Sequence, residues 1–74
     1  MDADNLVRMA NRIGQFFEAM PDAAEAAQQV AEHLKKFWDP RMRRALLAHV
    51  DRHGSAGLNA MVEAALTRHR AVLD

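Results

Sequence analysis

A chain of 74 residues has room for one domain and one modest hydrophobic core. Half of its residues are apolar, but 15 of these are alanine, which leaves 22 larger apolar side chains, Met1 included; no cysteine is present to supply a disulfide, a thiolate metal site or thiol chemistry. Ten basic and ten acidic residues cancel, which argues against a nucleic-acid-binding domain of the usual positive excess.

From the N-terminus, Leu6, Met9, Ile13, Phe16, Phe17 and Met20 recur at intervals of three and four, as one stripe of a first helix does. Asp4 or Asn5 is available to cap its start. Gly14 falls inside the pattern at a cost of about 1 kcal/mol relative to alanine. With Ala10 one turn away it suits a shallow crossing beneath a second helix, and it suits equally a tolerated glycine on the exposed side.

Pro21-Asp22 ends this helix and starts the next, with Asp22 as cap and Glu25 three residues on in a capping-box arrangement. Ala23, Ala27, Val30, Leu34 and Phe37 give the second helix an apolar seam. The short joint predicts an antiparallel hairpin of the first two helices.

Residues 35–44 hold the only tryptophan, one of the two prolines and half of the basic side chains. Residues 1–34 carry two basic and six acidic side chains, residues 35–53 six basic and two acidic, and the remainder balances. A basic end of this kind steers toward an acidic protein surface or phosphate. Asp39-Pro40 predicts the start of a third helix, since the carboxylate accepts backbone amides and proline at the first position loses no needed donor. Met42, Ala45, Leu46, His49 and Val50 form its inner stripe, opposite Arg41, Arg44, Ala48, Asp51 and Arg52, with Arg43 and Leu47 between. Gly54 is placed to end it in the left-handed conformation.

Gly54-Ser55-Ala56-Gly57 reads as a flexible loop, with Asn59 as the cap of a fourth helix whose stripe is Leu58, Met61, Val62, Ala65, Leu66, His69 and Val72 or Leu73, fraying at its end. The fold expected is all-α, a single helical domain over residues 1–74 made of four short helices: a helical hairpin and two further helices. No apolar stretch nears the roughly 20 residues needed to cross a bilayer, and Asp2 and Asp4 replace the positive start of a leader. The chain therefore reads as soluble and cytoplasmic.

Catalytic chemistry finds little support. His49 and His53 share a helix face at a spacing metals use, but the glutamate of an HExxH motif is absent and Asp51 points elsewhere. Ser55 sits in a glycine-flanked turn, Thr67 lies mid-helix, and Glu18, Glu25, Glu32 and Glu63 occupy ordinary exposed helix positions. Arg41, Arg43 and Arg44 at a helix start could meet a phosphate backbone, although the acidic first half opposes this. Trp38 has two readings, as the ring closing one end of a small bundle and as a binding hot spot among arginines, and both can hold if one ring face packs inward and the other meets a partner.

The segments Leu6-Val7-Arg8-Met9-Ala10-Asn11-Arg12-Ile13-Gly14-Gln15-Phe16-Phe17 and Ala31-Glu32-His33-Leu34-Lys35-Lys36-Phe37-Trp38-Asp39-Pro40-Arg41-Met42-Arg43 resemble the delta subunit of NAD-dependent, molybdenum-containing formate dehydrogenases. Ala45-Leu46-Leu47-Ala48-His49 and Gly57-Leu58 add to the likeness, while Ala60 stands where the family more often has proline. The resemblance implies a non-catalytic accessory subunit of a soluble cytoplasmic complex that oxidises formate. Molybdopterin, iron-sulfur clusters and FMN would then lie in the other subunits and none in this chain. It also implies binding to the catalytic subunit through Phe37, Trp38, Pro40, Arg41, Arg43 and Arg44, with Asn11 and Arg12 of the first helix, and a role in assembly, stability or cofactor retention. The alternative is a free-standing helical regulator that binds nucleic acid or another protein through the same basic end. Self-association of the isolated chain is compatible with either.

Overall fold

Asp and Asn side chains start the four longer helices. In the computed structural model, which describes Asp2–Asp74, Asp2 accepts the Asp4 amide at the head of α1 (Ala3–Phe17). Asp22 accepts the amides of Ala24 and Glu25 at 2.9 and 3.2 Å and heads α2 (Ala23–Phe37). Asp39 accepts the Arg41 amide at 2.8 Å and heads α3 (Pro40–His53), with Pro40 as its first residue. Asn59 accepts the Met61 amide at 2.8 Å and heads α4 (Ala60–Arg68). Each bond satisfies an amide that the first turn of a helix leaves unpaired. The cap of α1 is Asp2, not Asp4 or Asn5, because the helix begins earlier than the apolar stripe. Met1 lies outside the described residues.

The fourth predicted helix is divided. His69, at φ −120° and ψ 27°, interrupts it, and a last turn, α5 (Arg70–Leu73), follows without a side-chain cap. The break redirects the chain so that Leu73 is buried and Val72 is not. The predicted fraying is thus replaced by a docked C-terminal turn, giving five helices among the described residues rather than four.

α2 is the central element and contacts each of the other helices, α4 most extensively. Its buried residues are Ala26, Ala27, Val30, Ala31 and Leu34, and the three alanines let neighbours approach on more than one side. The inner face is wider than the predicted seam, and Ala23 and Phe37 fall outside it. On α1 the buried line is Leu6, Ala10 and Gly14. Gly14 makes a close crossing: a Cβ there would lie 2.6 Å from Asn59 Oδ1 and 2.9 Å from Val62 Cγ2, so the helix passing over it is α4. α3 is rotated slightly from expectation and buries Arg43, Leu46 and Leu47. Gly54 ends α3 at φ 80° and ψ −172°, an extended positive-φ conformation open to glycine and not the left-handed helical one. No strand occurs among the described residues, so the fold is all-α, a single small unit whose radius of gyration of 10.9 Å matches the value of about 11 Å for a compact domain of this length.

Candidate partner interface

The run from Lys35 to Arg44 separates into an internal part and an external part. Trp38 is 7% exposed and belongs to the core cluster with Leu34, Leu46 and Leu73. Arg43 is equally buried and has no carboxylate partner. Its Nη1 donates to the carbonyls of Trp38 and Lys35 at 2.6 and 3.2 Å, and its Nε donates to the Leu73 carbonyl at 3.2 Å. These acceptors lie at the C-terminal ends of α2 and α5, where unpaired carbonyls carry partial negative charge. The guanidinium therefore caps two helices at once. Trp38 thus takes the core position expected of the ring that closes one end of the bundle.

Lys35, Lys36, Phe37, Pro40, Arg41 and Arg44 are exposed. Asp39 is held below the ordinary carboxylate range chiefly by the Arg41 backbone amide, opposed by desolvation and aided by the Arg41 charge. The Arg41 guanidinium lies 3.5 Å from the same carboxylate. With Arg43 drawn inside, the start of α3 presents two arginines to solvent, which weakens the case for a phosphate-tracking surface.

Asn11 and Arg12, neighbours in sequence, have different surroundings. Asn11 Nδ2 donates to the Gly57 carbonyl at 2.8 Å, and its Oδ1 accepts the Asn59 amide at 2.7 Å. Glu18 accepts a further bond from Asn59 Nδ2. Asn11, Gly14 and Glu18 share one face of α1 and together receive the entry to α4, so the 54–57 loop predicted to be flexible is tied down at Gly57. Arg12 is exposed and forms no ion pair; among the described residues only Arg41–Asp39 and Arg70–Asp51 do so.

An aromatic strip that the helical stripes do not predict crosses the surface. Phe16 is 74% and Phe37 65% exposed, and they are joined by contacting rings: Phe16 to Phe17 at 5.0 Å between centroids, Phe17 to His33 at 6.3 Å, and His33 to Phe37 at 4.7 Å. Lys36 Nζ stands 5.5 Å from the Phe37 ring centre, within range of a cation–π attraction. Phe16 departs from the apolar stripe expected of the first helix. Adjacent helical residues diverge by about 100°, so a Phe-Phe pair spreads its rings over a wide arc, and at the end of α1 only Phe17 is half-buried.

The remaining surfaces offer less. An open hollow of about 630 Å³ is lined by Asp22, Glu25, Gln28, Glu32, Arg68 and His69 among others. The His49 and His53 rings lie 5.0 Å apart, His49 half-buried and His53 exposed. No group of three or more His, Cys, Asp or Glu residues among those described converges as a metal would require. With no cysteine in the chain, the thiolates that hold an iron-sulfur cluster are missing. No helix among the described residues is long and apolar enough to cross a membrane.

Comparison with known proteins gives one informative result. The family model of the NADH-dependent formate dehydrogenase delta subunit FdsD matches residues 5–66, a span that takes in most of α1, all of α2 and α3, and most of α4. No curated protein and no solved structure matches.

Proposed function

The chain belongs to the delta-subunit family of NADH-dependent formate dehydrogenases, and we propose that it binds the large, cofactor-carrying subunits of that complex in the cytoplasm and supports their assembly, stability and hold on cofactors. It is a non-catalytic accessory subunit. Formate oxidation and the passage of electrons through molybdopterin, iron-sulfur clusters and flavin to NAD belong to the larger subunits.

The observation that carries this reading is the family match along 5–66, supported by large apolar rings left uncovered on a small domain. The eight residues implicated from sequence divide by role. Phe37, Pro40, Arg41, Arg44 and Arg12 are exposed and available to a partner; Trp38, Arg43 and Asn11 shape the surface that presents them.

The test is co-expression of the large subunits with and without this chain, followed by measurement of assembled complex, molybdenum and iron content, and formate oxidation. Omission should lower the yield of complete complex and the molybdenum per catalytic subunit, while activity per bound molybdenum is maintained. Equal yield, metal content and activity without the chain would contradict the proposal.

A further inference from the structure

Phe16 and Phe37 are two of three large hydrophobic residues strongly exposed among those described, the third being Val72. They stand at opposite ends of a continuous strip whose middle is Phe17 and His33. Two adjoining hollows flank its centre. One, about 300 Å³, is walled by Arg12, Ile13, Phe16, Phe17 and His33; the other, about 280 Å³, shares Phe17 and His33 and reaches Lys36 and Phe37. Each is of a size to receive an aliphatic side chain between aromatic walls.

The charges around the strip select its occupant. Arg12 rims the first hollow and Lys36 the second, and neither has a carboxylate within ion-pair distance among the described residues. Glu32 is the one carboxylate lining either hollow. We infer that the Phe16–Phe17–His33–Phe37 strip is the principal docking surface, and that its occupant is an apolar segment of a partner protein flanked by Asp or Glu side chains. Apolar side chains fill the hollows, and the flanking carboxylates pair with Arg12 and Lys36 at the exposed rim. A second copy of this chain is a poorer occupant, because a two-fold contact presents the same patch to itself and brings like cations together.

This inference rests on the accessory-subunit reading above and narrows it, since it places the main contact at the ends of α1 and α2 instead of at the basic start of α3. Its test is titration of the full chain against the purified large-subunit complex lacking it, using three double variants: Phe16→Ser with Phe37→Ser, Arg12→Glu with Lys36→Glu, and Arg41→Glu with Arg44→Glu. All six side chains are exposed, and circular dichroism verifies that each variant is folded. The first two should weaken binding about tenfold or more, in line with the loss of hot-spot residues, and the third by less than about threefold. Wild-type affinity in both strip variants, with loss in the third, would overturn the assignment while leaving the accessory role intact. Failure of the wild-type chain to bind would overturn both. Dimerisation of the isolated chain that is abolished by the Phe double variant, with partner binding retained, would make the strip a self-association surface and also overturn the inference.

Discussion

The Arg43 guanidinium donates to the Leu73 carbonyl across thirty residues of chain, at 3.2 Å. The same group holds Trp38 and Lys35 through their carbonyls. One buried side chain thus fastens the C-terminal turn to the α2–α3 joint and gathers three carbonyls that would otherwise lack partners.

Replacing Arg43 with methionine should therefore cost about 2 to 4 kcal/mol, given roughly 1.5 to 3 for a charged hydrogen bond and the burial of the acceptors left behind. That is a large share of the roughly 3 to 5 kcal/mol a domain of this size derives from its core. Arg43→Lys should restore only part, since a compact ammonium lacks the fork that spans two helix ends. Urea denaturation checks both variants. Removing residues 73–74 should cost further stability even in Arg43→Met, because it also takes the fully buried Leu73 side chain out of the core.

Gly14→Ala should destabilise the protein even though alanine is the better helix former. The gain in propensity is about 1 kcal/mol. Against it stands a Cβ 2.6 Å from Asn59 Oδ1 and 2.9 Å from Val62 Cγ2. Asn59 cannot yield freely, because that oxygen caps α4 through the Met61 amide. A net loss of about 1 to 2 kcal/mol is expected from overpacking, read as a lower denaturation midpoint with an unchanged slope. A gain in stability would show that the α1–α4 crossing is looser than the structure describes.

Two carboxylates make stability fall in acid. Asp39 is lowered below its ordinary value of 3.8, chiefly by the Arg41 amide, and Asp51 below the same value, chiefly by its hydrogen bond from Arg70, whose two nitrogens lie 2.9 and 2.7 Å from the carboxylate oxygens. A group whose folded pKa is depressed contributes stability above its unfolded pKa and loses it as pH falls through the folded one. The contribution is thus complete well above 3.8 and disappears below it. The slope of stability against pH in that acid range should be shallower in an Asp39→Asn, Asp51→Asn double variant, as measured by thermal denaturation across a pH series. Raised salt should also diminish the Asp51–Arg70 contribution, because both side chains are solvated.

The helices were legible in sequence where one local signal decided them. Asp22, Asp39-Pro40 and Asn59 each announced a start that the fold uses, and the period of the stripes gave an all-α chain. What remained hidden depended on contacts between distant residues. Arg43 looked like a member of a basic surface because nothing nearby shows that Leu73 returns to meet it. The bonds of Asn11 are hidden in the same way, because its partners, Gly57 and Asn59, lie more than forty residues away. The break at His69 has no proline or glycine to mark it and follows from the burial of Leu73. The aromatic strip was half legible: Phe37 and Arg12 were singled out, whereas Phe16 and His33 join them only once α1 and α2 are packed together.

Site-specific photo-cross-linking within the assembled complex tests the central claim most directly. A benzophenone side chain placed at position 16 or 37, both exposed and outside the core, should cross-link this chain to a large subunit in high yield. The same probe at Arg52 or Glu63, exposed positions on α3 and α4, should give little product. Cross-links confined to positions 52 and 63, with none from 16 or 37, would contradict docking through the aromatic strip.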